Sequence, residues 1–162
     1  MIVKIDMDRQ SLPVVYESGV PPLPTPRVLV ADDDRYLAAM ARQTLESSGI
    51  AVEVASNGDE ALKIADWFRP DVIVLDTMMP VVDGIEALER LKRNTLHQNT
   101  PVLMLTALRT VGDIKRAMAS GASGYLTKPF RPDDFLKRVK WLLAPLPATS
   151  PETPGDDLIL DA

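Results

Sequence analysis

No cysteine occurs in the 162 residues, so this sequence supplies no disulfide framework, no thiolate zinc site and no cysteine nucleophile. That suits a reducing compartment. Positive charge is in deficit: 18 Lys and Arg stand against 23 Asp and Glu, for a net charge of -5. A dominant nucleic-acid or anionic-membrane surface needs the opposite balance. No apolar run approaches the roughly 18 residues of a membrane span. The start, Met1-Ile2-Val3-Lys4-Ile5-Asp6, has no signal-peptide core. The reading is a cytoplasmic protein with no membrane role. No internal repeat is evident. What remains is ordinary globular composition, 46% hydrophobic and 25% charged, enough for one well-buried domain and short for two.

Proline gathers at the two ends. Gly19-Val20-Pro21-Pro22-Leu23-Pro24-Thr25-Pro26 cannot belong to a helix or a sheet interior. Pro145, Pro147, Pro151 and Pro154 precede the acidic stretch Gly155-Asp156-Asp157-Leu158-Ile159-Leu160-Asp161-Ala162. These shifts predict an N-terminal arm over 1–26, a compact domain over 27–144, and a linker with an acidic tail over 145–162.

Inside the domain, strand and helix patterns alternate five times. Arg27 to Ala31 is an apolar strand, and Leu37, Met40, Ala41, Thr44 and Leu45 keep helical spacing up to Gly49, placed as a C′ residue. Ala51 to Ala55 has the mixed pattern of an edge strand. Asn57 and Glu60 form a capping-box signature ahead of Ala61, Ile64, Ala65 and Phe68, with a stop at Pro70. Val72-Ile73-Val74-Leu75 is too short for a helix and too uniform for a half-exposed strand, so it reads as a central strand buried on both faces. Asp83 caps a helix bearing Ile85, Leu88 and Leu91. Pro101 to Leu105 is another apolar strand. Thr110 and Asp113 are spaced as a cap, with Val111, Ile114 and Met118 on one helical face. Gly124 to Thr127 is a short last strand, and Pro132 opens a helix with Phe135, Leu136, Val139, Leu142 and Leu143 inward. Strands separated by helices imply βαβ units: an α/β, doubly wound, five-stranded parallel sheet with helices on both faces.

The informative fact is where each apolar strand stops. Asp32 and Asp33 follow the first, Asp76 the third, Thr106 the fourth and Lys128 the fifth. In a parallel sheet these positions share one edge, where open α/β folds place their chemistry. Singly, each has a plain structural explanation. Asp34 reads best as a helix cap, and His97 and both tryptophans, Trp67 and Trp141, as a solvated loop residue and packing groups. Capping does not account for a threonine and a lysine arriving together with three carboxylates. Carboxylates packed together repel unless a cation joins them. Few protein oxygens plus water suit Mg²⁺ better than Ca²⁺. A carboxylate beside Mg²⁺ and a lysine can accept a phosphoryl group as an aspartyl phosphate, with the cations stabilising the transferring oxygens. Asp76, at the end of the central strand, is the leading nucleophile.

Residues 27–144 resemble the receiver domain of two-component response regulators. Asp32-Asp33 is similar to the family's metal-binding acidic pair. Val74-Leu75-Asp76-Thr77-Met78-Met79-Pro80-Val81-Val82-Asp83-Gly84 is similar to its phosphoacceptor segment, Thr106-Ala107 to its switch threonine and following small residue, and Tyr125-Leu126-Thr127-Lys128-Pro129-Phe130 to its switch aromatic and lysine. The resemblance implies a flavodoxin-like sheet in the order 2-1-3-4-5. It implies Mg²⁺ held by Asp33 and Asp76, by Asp32 directly or through water, and by the Met78 carbonyl. Asp76 would be phosphorylated by a sensor histidine kinase or histidine phosphotransfer protein, and Lys128, Thr106 and Ala107 would hold the phosphoryl group. Thr106 and Tyr125 would form a switch acting on the surface of the fourth helix, fifth strand and last helix. The Lys128-Pro129 bond would be cis.

Three outputs follow. The first is a stand-alone phosphoacceptor, not an enzyme, that changes partner affinity or dimerises. The second is the receiver fragment of a winged-helix DNA-binding transcriptional regulator, since Gly155 to Asp161 resembles the first strand of such domains. In that case nucleic acid binding would belong to an output domain absent from this sequence. Ala122-Ser123-Gly124 lacks the acidic residues that this subfamily uses across its active dimer. The third, an aspartate-nucleophile phosphatase, is disfavoured by Met78, where a second acidic residue is wanted.

Overall fold

A computed structural model describes residues 23–107 and 110–144. The expected tail, and all but the last residues of the expected arm, lie outside the described residues. Five strands and five helices alternate as β1 (Arg27–Ala31), α1 (Arg35–Glu46), β2 (Ala51–Ala55), α2 (Gly58–Phe68), β3 (Val72–Asp76), α3 (Gly84–Arg93), β4 (Val102–Thr106), α4 (Val111–Ala119), β5 (Gly124–Thr127) and α5 (Pro132–Leu143). All strand pairs are parallel, in the order β2-β1-β3-β4-β5. Every strand therefore ends at one edge of the sheet. The chain enters β1 and leaves α5 at the opposite edge.

Alternation along the strands divides the core into two layers. Val28, Val30, Val72, Val74, Leu103 and Leu105 face α1 and α5, which contribute Ala41, Leu45, Phe135 and Val139. Leu29, Ala31, Ile73, Leu75 and Met104 face the other way, against Ala61 and Ile64 of α2 and Leu88 and Leu91 of α3. β3 and β4 are buried along their whole length, whereas β2 and β5 are only partly covered, as the ends of the sheet must be.

The helices start where their caps stand. Asn57, Asp83 and Thr110 accept hydrogen bonds from the N–H groups of Glu60, Glu86 and Asp113. Glu60 reaches back to the N–H of Ser56, one residue beyond the usual box partner. α1 ends in a Schellman turn, with Gly49 N donating to Glu46 O and Ile50 N to Leu45 O, and Gly49 takes the φ of 78° that the turn needs.

Three expectations are corrected. His97 is not solvated: it is 2% exposed, and its Nε2 lies 2.9 Å from Asp66 Oδ1 of α2. The stretch from Asn94 to Thr100 closes on itself through backbone bonds to Asn94 and His97, which turns the ring inward. Trp67 and Trp141 are not core residues: both are exposed, Trp67 to 63%. On α4, Val111 and Met118 share an exposed face, and Ala117 is that helix's one fully buried residue.

Phe135 is fully buried and stacks on Phe130 at 5.5 Å between ring centroids. Phe135→Ala is expected to lower the unfolding free energy by about 3–5 kcal/mol, seen as a fall in the urea midpoint. A loss below about 1 kcal/mol would mean that this face of the core collapses onto the gap.

Candidate functional site

The sheet's carboxyl-terminal edge brings Asp32, Asp33 and Asp76 together: one carboxylate oxygen from each lies within 4.8 Å of the others. Asp32 and Asp76 are buried, and Asp33 is exposed. The Asp32 carboxylate is held on both sides, accepting from Asp34 N at 2.9 Å and from Lys128 Nζ at 2.8 Å. Its N–H donates to Ala55 O of β2 at 3.0 Å. Asp34 turns away and caps α1, accepting from Tyr36 N and Leu37 N.

Asp76 ends β3 with its Oδ1 3.3 Å from Lys128 Nζ and 3.4 Å from Met78 N. The main chain beneath it tolerates no side chain at Gly84, where a Cβ would stand 1.9 Å from Asp76 O. Lys128 arrives from the far side of the sheet. Its own N–H donates to Thr106 O at 2.8 Å, and the bond to Pro129 is cis. One residue thus ties β4 to the acidic pair through main chain and side chain at once.

The charges act on each other. Burial and then the Asp32 carboxylate push the pKa of Asp76 up to about 6, against the opposing pull of Lys128 and the Met78 N–H. Burial alone would lower Lys128, but its hydrogen bond to Asp32 and the charges of Asp76 and Asp32 outweigh this and raise it. Three carboxylates facing one ammonium leave negative charge in excess. An all-oxygen donor set of this kind fits a hard divalent cation.

The other predicted residues divide. Thr106 is buried at the end of β4, with Thr77 Oγ1 3.5 Å from its own Oγ1. Tyr125 is half-buried on β5, and with Thr106, Thr77, Ile114 and Ala117 it lines a narrow cleft beside α4. Ala107 is exposed at the mouth of the edge, and the Met78 side chain points to solvent. Thr77 was not singled out from the sequence. Its hydroxyl also lies 3.4 Å from Leu105 O, so it packs between the two strand ends. Being the residue directly after Asp76 on a buried strand was the available signal.

A family model described as the response regulator receiver domain matches residues 28–140. The chain belongs to this family. It is 40% identical over 134 residues to the alkaline phosphatase synthesis transcriptional regulatory protein PhoP of Bacillus subtilis (strain 168), covering 82% of this chain and 55% of that protein. It is 42% identical over 118 residues to the DNA-binding dual master transcriptional regulator RpaA of Synechocystis, covering 73% and 49%. The chain thus spans about half the length of these curated relatives. Among solved structures, a Francisella response regulator receiver domain matches with a TM-score of 0.69 at 42% identity, covering 74% of this chain and 97% of that one. Vibrio cholerae CheY4 matches with 0.70 at 37%, covering 74% and 99%. The receiver domain of two-component response regulators is therefore both the fold and the functional class of this chain.

The raised pKa of Asp76 fixes a pH dependence. The folded state holds the proton more tightly than the unfolded chain, so this group's contribution to stability is full below about pH 4 and is lost as pH rises through 6. Asp76→Asn removes the titration. In chelator, the variant should gain on the wild type by about 2–3 kcal/mol between pH 4 and pH 7, and saturating Mg²⁺ should shrink the gain at pH 7. Urea unfolding at the two pH values measures it; a difference flat with pH would show that neither burial nor Asp32 raises the Asp76 carboxyl.

Proposed function

We propose that this domain accepts a phosphoryl group on Asp76 from a phosphohistidine of a sensor kinase or histidine phosphotransfer protein. Lys128 carries the reading: its Nζ stands within 3.3 Å of Asp76 and 2.8 Å of Asp32, beside three convergent carboxylates. An Asp76 oxygen attacks phosphorus, the phosphorus–nitrogen bond breaks, and the imidazole nitrogen leaves with the bonding pair. Asp32, Asp33 and Asp76, with the Met78 carbonyl, are the groups that would hold Mg²⁺, which supplies charge neutralisation for the transferring oxygens. Lys128 does the same from the other side. Thr106, the Ala107 main chain and Lys128 would hold the phosphoryl oxygens once the bond has formed. Thr106 moving toward them would leave its place beside the cleft to the Tyr125 ring, changing the α4-β5-α5 surface read by a partner.

In this reading the chain is a phosphoacceptor and not a turnover catalyst. A second reading, favoured by the transcriptional regulators that it matches over about half their length, puts the domain in front of a DNA-binding output domain. Paired copies would then need a contact other than acidic residues before Tyr125. Ala122 is buried, and Ser123 Oγ accepts from Val102 N at 3.1 Å, so both positions serve the sheet. Sequencing the gene past Ala162 tests this second reading.

With Mg²⁺ and acetyl phosphate, the protein should gain one acid-labile phosphate, and Asp76→Asn should gain none. Lys128→Ala should still bind Mg²⁺ but be phosphorylated roughly 10²-fold more slowly. Intact-mass and phosphate-release assays read both. Labelling that survives Asp76→Asn would move the acceptor, and an unchanged rate in Lys128→Ala would reduce that lysine to a structural ion pair.

A further inference from the structure

Residues 77–83 join the phosphoacceptor strand to α3, and the loop is clamped at both ends. Thr77 donates its N–H to Leu105 O at 3.0 Å, and its carbonyl accepts from Gly84 N at 3.1 Å. Between these clamps, Met79 and Val82 are buried in the core while Met78 and Val81 point outward. Val82 is pinned again by Gly58, whose N–H donates to Val82 O at 3.0 Å. The approach is so close that a Cβ on Gly58 would stand 2.3 Å from that oxygen. Pro80 has its φ fixed by its ring. The reversal that buries both Met79 and Val82 therefore falls on Val81.

Val81 has φ of 68°, and Val82 N closes the turn by donating to Pro80 O at 2.8 Å. This is a γ-turn. A β-branched side chain in the left-handed region is a steric outlier, and such strain persists only where the surroundings over-determine it. Val81 is 82% exposed, so core packing gives nothing back. Arg69, also at positive φ with 52°, is a different case: it is the C-cap of α2, where that conformation is ordinary.

Resting on the reading that the Met78 carbonyl takes part in holding the divalent ion, we infer that Val81 is a positioning residue that keeps ion affinity low. Met78 and Val81 belong to one clamped loop, three residues apart. The valine side chain raises the energy of the left-handed turn relative to other turns of the same loop. Only a fraction of ion-free molecules then presents the Met78 carbonyl in place. A ligand that needs one conformer binds more weakly by the fraction in which that conformer is populated. Val81 touches neither the ion nor the phosphoryl group in this account. It acts through the backbone alone.

The test is calorimetric titration with Mg²⁺ of the full chain as wild type, Val81→Gly, Val81→Asn and Val81→Ile, with urea unfolding of each in chelator and in saturating Mg²⁺. Glycine and asparagine enter the left-handed region with little steric cost. Both should lower the Kd by about three- to tenfold, and Mg²⁺ should raise their urea midpoint by more than it raises the wild type's. Val81→Ile, branched in the same way, should stay within about twofold of the wild type. Equal or weaker binding in Val81→Asn would make the strain a property of the fold alone and overturn the inference. A wild type that binds no Mg²⁺ would remove the inference together with the reading of the site.

Discussion

Like charges held close in a partly dry pocket are the constraint on which this domain depends. Asp32 and Asp76 end neighbouring strands, so the parallel register that builds the core also forces their carboxylates together. Burial is the larger cause of the raised pKa of Asp76, and the Asp32 carboxylate beside it adds to the rise. Lys128 relieves part of it, bonding Asp32 more closely than Asp76. The pocket is left with an excess of negative charge of the kind that a bound cation offsets. The fold itself supplies the tension.

The loops are shaped to keep that tension in place. Lys128 cannot move far from Asp32 while its N–H is committed to Thr106 O. Asp76 cannot sink or tilt while Gly84 presses against its carbonyl, where even a methyl group would collide. The loop after Asp76 is fastened to β4 by Thr77 and to the start of α2 through Gly58. Lys128, Asp32 and Asp76 are thus held facing one another by the main chain around them.

Much of this was legible in the sequence, for a physical reason. Strand ends are marked by the point at which an apolar run stops, and a parallel sheet carries all such points to one edge. Hence Asp32, Asp33, Asp76, Thr106 and Lys128 could be grouped before any distance was known. The helix caps Asn57, Asp83 and Thr110 were readable because their bonds are local. Residues whose environment is made by distant chain were not. His97 looks solvated among polar neighbours, yet Asp66, 31 positions earlier, supplies the partner that lets the ring be buried. Trp67 and Trp141 carry large apolar rings and still lie on the surface, because helical position and not residue type decides which side meets the sheet. Met78 and Met79 are adjacent and chemically alike, but one is exposed and the other buried. That split depends on the direction of a loop, which composition does not encode.

The two ends of the described domain enter β1 and leave α5 on the side of the sheet away from the acidic pocket. Both of these ends are thus separated from Asp76 by the length of the strands, some 17 Å for five residues. A change of charge at the pocket therefore does not act on either of these ends by direct contact. The flank between pocket and ends carries half-buried Tyr125 and α4, a helix with Ala117 as its one buried residue.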